Sequence, residues 1–171
     1  MEFRPEDYGP EIAGILALHG AGRRPMPLVR AESDSTHAAQ AIKALPSLPA
    51  SVTTGLYLYS GCWDAAHTAA DGIEDPNGYF WHAIVHRQEP DASNSGYWFR
   101  KVGTHPTFPC LAVEANNLGY HSENEWDPFA FIQTCEIARQ HPGSPDEQLA
   151  ISVQLVEWQL LFDYCARGQS C

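Results

Sequence analysis

The sequence predicts an all-α fold in a single domain, and three observations carry that reading. Ser144-Pro145-Asp146-Glu147 supplies a cap, a first-turn Pro and two acids for the positive end of a helix, and Leu149, Val153, Val156, Leu160 and Tyr164 continue it as an apolar stripe down to Arg167-Gly168. WDAAHTAADGIEDP and SNSGYWFRKVGTHP both close on an aliphatic residue and then a Pro, thirty residues apart at Pro76 and Pro106, as a helical unit used twice would. A chain of 171 residues, 44% of them hydrophobic, is the size of one ordinary domain with a core of its own. About six to seven helices are expected over residues 1–171: a partly irregular 1–33, repeat-like helices in 34–106, an irregular 107–126 and C-terminal helices in 127–167.

In chain order, the apolar run Ile12 to Leu18 reads as a short helix, and Gly20, Gly22, Pro25 and Pro27 make the residues after it a loop. Leu18-His19-Gly20-Ala21-Gly22 has the outline of an oxyanion turn of the α/β-hydrolase type, but no GxSxG elbow accompanies it. Asp34 or the Ser beside it caps a helix carrying Ala38, Ala41, Ile42 and Leu45, which Pro46 stops. Residues 51–59, with β-branched residues and a Leu-Tyr alternation, read equally as helix or strand. Trp63, Ala66, Ala70 and Ile73 then share one helical face; Pro76 ends that helix, Asn77 caps the next, and Phe80, Trp81, Ile84 and Val85 face the core. Leu111 to Asn116 is ambiguous, and Asp127-Pro128 starts a helix running through Phe131, Ile132 and Cys135 to Arg139.

Ten Lys and Arg against 21 Asp and Glu leave a net charge of −11, a field that repels phosphate backbones and anionic lipid and so argues against nucleic acid or membrane as partner. The five Cys are odd in number, widely spaced and form no CxxC pair, which points to reduced thiols and a cytoplasmic protein. The N-terminal MEFRPEDYGPE is acidic where a signal peptide is basic, and the apolar run behind it is too short for a membrane span.

The chemistry-bearing residues concentrate between Asn77 and Pro106. His82 and His86 are four apart on one helical face, within reach of a single divalent metal ion, with Glu89 one turn on and His67 or His105 as the group that completes a nitrogen–oxygen site. The bland alternative is a pair of hydrogen-bonded or solvated histidines. Arg87, Glu89, Asp91, Asn94 and Arg100 flank the turn between two helices, where they read either as an ion-pair and capping network or, with Tyr97 and Trp98 as walls, as a site for a small polar or anionic ligand. Cys62 and Cys110 are candidate nucleophiles but read more readily as small core residues.

Two resemblances add to this. LYLYSGCWDAAHTAADGIEDPN resembles a tetratricopeptide-type unit, with small residues where its helices cross and a terminal Pro. HAIVHRQEPDASNSGYWFRKVGTHP resembles the signature of a family of bacterial and fungal proteins of unassigned activity, matching it at His86, Arg87, Glu89, Pro90, Asp91, Asn94, Tyr97, Trp98, Phe99, Arg100, Gly103, His105 and Pro106. His82 and the preceding WDAAH fit it too, whereas Ser95-Gly96 depart from it. It implies a set of residues rather than a reaction. The resulting expectation is an α-helical module that binds a protein, a peptide or a small ligand, with a metal-dependent or acid/base enzyme built on His82, His86 and Glu89 as the alternative.

Overall fold

The computed structural model describes residues 2–32, 35–121 and 125–168. A 3-10 turn, Pro5–Tyr8, precedes α1 (Pro10–Leu18), α2 (Thr36–Lys43), α3 (Ala50–Tyr59), α4 (Trp63–Asp71), α5 (Pro76–Gln88), α6 (Ala92–Val102), α7 (Phe108–Asn117), α8 (Pro128–Ala138) and α9 (Pro145–Arg167). Among the described residues there are thus nine α-helices and no strand, two or three helices more than the sequence suggested. None of them is long and apolar enough to cross a membrane.

Five of the nine α-helices begin on a side chain that accepts from a first-turn N–H. Ser144 accepts from Glu147 N–H with Pro145 behind it, Asp127 accepts from Phe129 and Ala130 N–H, and Asp91 accepts from Asn94 N–H. Ser35 accepts from Ala38 N–H at the start of α2; its neighbour Asp34 lies outside the described residues. Asp75 caps α5, accepting from Gly78 N–H at 3.0 Å with Pro76 in the first turn, so the cap is two residues earlier than Asn77. Asn77 instead uses its side-chain carbonyl on His105.

Residues 51–59 are helical because neither edge of the segment meets a strand. β-branched residues disfavour a helix by only a few tenths of a kcal/mol each, and burial of Val52, Leu56, Leu58 and Tyr59 outweighs that. Residues 107–126 also contain a helix that the sequence left irregular, α7, which buries Leu111, Ala112 and Ala115 against α9.

α3–α4 and α5–α6 are consecutive helical hairpins, and α9 lies across α3, α7 and α8. Small residues set the crossings. At Gly55 an added Cβ would stand 2.8 Å from Phe162 and 2.9 Å from Trp81, so α3, α5 and α9 meet there at a distance that only Gly allows. Trp158 Nε1 donates to the Gly55 carbonyl across the same crossing, at 2.9 Å. Ser95, fully buried where α6 crosses α5, donates to the Ala83 carbonyl at 2.8 Å.

Trp81 and Trp158 are the largest of the fully buried side chains, and the same core holds a charged cluster. Arg87 is 1% exposed and does not reach the turn after α5: it points inward to Glu157 on α9, through Nη2 and, at 3.1 Å, Nη1. Its Nη2 also donates to Gln154 Oε1 at 3.3 Å, and its guanidinium lies 4.6 Å from the Phe131 ring centre. Gln154 passes the connection to the loop after α1 by donating to the Met26 and Pro27 carbonyls at 3.1 and 3.0 Å. The expected pairing of Arg87 with carboxylates at the turn is therefore replaced by a core ion pair. Arg100, the other Arg of that turn, is exposed on α6.

The thiols divide. Cys62, Cys135 and Cys165 are free, and burial holds the last two up at about 12, which makes them inert apolar residues; Cys110 is disulfide-bonded, contrary to the all-reduced expectation.

Removing one member of a buried ion pair leaves the other uncompensated. Arg87→Met and Glu157→Leu are each expected to cost about 3–5 kcal/mol in urea unfolding, and the double variant is expected to cost less than their sum.

Candidate metal centre

α4 and α5 run side by side and bring three imidazoles together. His67 sits on α4, one turn after Trp63, and His82 and His86 share one face of α5 as their spacing requires. One ring nitrogen from each of the three lies within 4.8 Å of the others. Ring centroids are 4.8 Å apart for His67–His82, 5.0 Å for His67–His86 and 4.9 Å for His82–His86, nearly an equilateral triangle. Nitrogens at about 2.0–2.1 Å around one tetrahedral ion put imidazole centroids roughly 5 Å apart, so the rings are already at the spacing an ion demands.

The surroundings fix each ring. His82 is 2% exposed and stacked on Trp98 at 3.9 Å, 14° from parallel. Its Nδ1 is buried without a hydrogen-bond partner, as is Trp98 Nε1. Leaving such an atom bare costs about 1–3 kcal/mol, and of the buried atoms so left among the described residues His82 Nδ1 is the one on an imidazole. Burial, reinforced by His86 and His67, pushes its pKa down to about 4, so the ring is a neutral donor at physiological pH.

His86 Nδ1 meets Glu89 Oε2 at 3.0 Å. A carboxylate on Nδ1 selects the tautomer whose Nε2 lone pair is available, the usual support behind a metal-binding histidine. Asn94 Nδ2 lies 3.1 Å from that Nε2 and is the group an ion would displace. Burial lowers the His86 pKa while Glu89 opposes the shift. His67 is half-buried and stacked on Trp63 at 5.2 Å, 5° from parallel, so the trio opens to solvent on its side.

His86, Glu89 and Asp91 form a second set with ligand atoms inside 4.8 Å. Its acids are engaged already, Glu89 with His86 and Asp91 with Asn94 N–H at 2.9 Å, so the three-histidine set is the better site.

Of the residues read from the sequence, the structure gathers His67, His82, His86, Glu89, Asp91, Asn94 and Trp98 in one place. Tyr97 is exposed and edge-on to Trp98, with Lys101 over the neighbouring aromatic surface: Lys101 Nζ is 4.4 Å from the Tyr79 ring and 4.7 Å from that of Trp98. His105 does not join. Its Nε2 donates to Asn77 Oδ1 at 3.0 Å and its Nδ1 accepts from Thr107 Oγ1 at 2.9 Å, and the ring is enclosed by Phe80, Phe108 and Tyr164. Arg87 and Arg100 stand apart, the first in the core and the second on the exposed face of α6. Trp63 was missed as a site residue; its spacing from His67, Trp-x3-His on one helical face, was the available signal.

Comparison with protein-family models, curated proteins and solved structures yields no match, so the chemistry rests on these side chains.

Two outcomes are expected. Glu89→Gln, which keeps the hydrogen bond but not the charge, should weaken zinc binding about 10–100-fold in a chelator competition, the usual range for a supporting carboxylate. Burial also holds His105 down to about 4, below its unfolded value of 6.5. The unfolded chain then binds the extra proton first, so the His105 contribution to stability is complete above pH 6.5 and is lost as pH falls toward 4. Urea titrations at several pH values should show a shallower loss over that window in His105→Asn than in the parent.

Proposed function

We propose that this helical domain binds one divalent ion of the borderline transition-metal class, zinc being the reference, through His67, His82 and His86. The observation that carries the reading is the triangle of three imidazoles at ion-binding spacing around a buried His82 Nδ1 that has no partner. Three nitrogen donors favour zinc, copper, nickel or cobalt over the oxygen-seeking magnesium and calcium. Three protein ligands leave a fourth position, on the side of the half-buried His67, for water or a small polar or anionic ligand.

The protein's own groups divide the work. Glu89 orients His86 and offsets part of the charge of the ion. Trp98 and Trp63 fix the planes of His82 and His67 and keep the site dry on two sides. Asn94 supplies an amide donor next to the open position. The residues on which the bacterial and fungal resemblance rests include His86 of the trio and Glu89, Asn94 and Trp98 around it, and WDAAH supplies His67.

The peptide-groove reading suggested by the tetratricopeptide-like pairs has less support. The exposed large apolar residues Leu18, Val29, Tyr97, Val113, Leu118, Phe129 and Ile137 are distributed over α1, the loop after it, α6, α7 with its end, and α8.

Chelator-treated protein titrated calorimetrically with zinc should take up one ion per chain. His67→Ala, His82→Ala and His86→Ala should each lower the affinity at least about 100-fold, the loss of one of three ligand bonds. A parent that takes up no zinc, or three variants that bind as the parent does while remaining folded, would overturn the proposal.

A further inference from the structure

Residues 19–32, after α1, contain no helix but are tied to α5 and α9 by hydrogen bonds. Gln159 Nε2 holds the Gly22 carbonyl at 2.7 Å, Gln154 holds Met26 and Pro27, and Arg30 N–H donates to the Gln88 carbonyl at 2.8 Å while Gln88 Nε2 returns to Pro27 at 3.1 Å. Gly22, at φ +73°, has Phe3 where a Cβ would stand, 2.1 Å away. The loop is thus fixed from α5 and α9 before any ligand arrives, and binding there would cost little ordering.

Between this loop, the end of α3 and the start of α4 lies a small cleft of about 120 Å³. Its walls are Met26, Leu58, Tyr59 and Trp63, all buried, and two guanidinium groups, Arg24 and Arg30, stand over it. Arg30 lies 4.1 Å over the Trp63 ring and pairs with the exposed Asp64 at 2.8 Å. Arg24 is tied by its backbone N–H to Tyr59 Oη at 2.8 Å and by Nη2 to the Tyr59 carbonyl at 2.6 Å. It has no carboxylate partner among the described residues, in a chain whose acids outnumber its bases 21 to 10. An exposed Arg anchored through its backbone and one Nη, with the rest of its fork uncompensated at the rim of an aromatic cleft, is arranged for an anion.

We infer that this cleft binds a small carboxylate with a flat apolar body, its ring against Leu58 and the edge of Trp63 and its carboxylate shared by Arg24 and Arg30, where it takes the place of Asp64. The apolar walls exclude a bare inorganic anion as the preferred ligand, and the paired guanidiniums exclude a neutral ring. The site is separate from the histidine trio and touches it only through Trp63, whose indole carries Arg30 over its ring and His67 stacked against it.

Calorimetric titration of the full chain, without added metal, with benzoate, benzamide and inorganic phosphate tests this. Benzoate should bind saturably, benzamide and phosphate at least tenfold more weakly, and Arg24→Gln and Arg30→Gln should each weaken benzoate at least fivefold, with His82→Ala unchanged. The inference is overturned if no saturable benzoate binding occurs, if benzamide or phosphate binds as tightly as benzoate, or if both Arg variants keep the parent affinity. Loss of benzoate binding in His82→Ala would overturn the separation of the two sites.

Discussion

The burial of α5 on every side is the constraint on which the rest of the structure depends. From Phe80 to Gln88 every residue of that helix is buried, including His82, His86, Arg87 and Gln88. A helix so enclosed must find a partner for each polar group it carries inward, since an unpaired one costs more than a hydrogen bond returns. Arg87 finds Glu157 and Gln154, and Gln88 finds the Pro27 carbonyl. Through them α5 is bound to α9 and to the loop after α1, so the two ends of the chain are closed over its middle. His82 Nδ1 is left without a partner, as are Trp81 Nε1 and Arg87 Nε on the same helix, and it lies where three imidazoles meet.

The same burial explains what the sequence made legible. Capping residues and helix stripes are local, so Asp91, Asp127 and Ser144 were readable at the helix starts, and the i, i+4 spacing of His82 and His86 carried over directly to a shared face. Trp63 and His67 have that same spacing, and they stack. What spacing does not reveal is the identity of a partner far along the chain. Arg87 and Glu157 are seventy positions apart, and nothing near Arg87 marks it as inward-facing rather than as part of the charged turn after it.

The choice between His67 and His105 was likewise a tertiary matter. Both flank the His82–His86 helix in sequence, and the packing of α4 along α5 settled it for His67, while Asn77 and Thr107 captured His105. Residues 51–59 stayed open between helix and strand through composition: Val and Thr favour strands only where a strand partner exists, and here the segment packs as α3 against α4, α5 and α9. The Arg24–Arg30 cleft was illegible for a different reason. Its walls come from a Gly- and Pro-rich loop whose path depends on three Gln side chains from α5 and α9.

A site made of three imidazoles, one supporting carboxylate and stacked indoles is pre-organised in the sense that little would have to move for an ion to enter: Asn94 would turn aside and three nitrogens would close inward. The most direct test is the zinc K-edge absorption spectrum of the loaded protein. Three imidazole ligands at about 2.0–2.1 Å, with the multiple scattering of histidine rings and one further light ligand, are what this account predicts. A first shell of oxygens without imidazole scattering, or one containing sulfur, would contradict it.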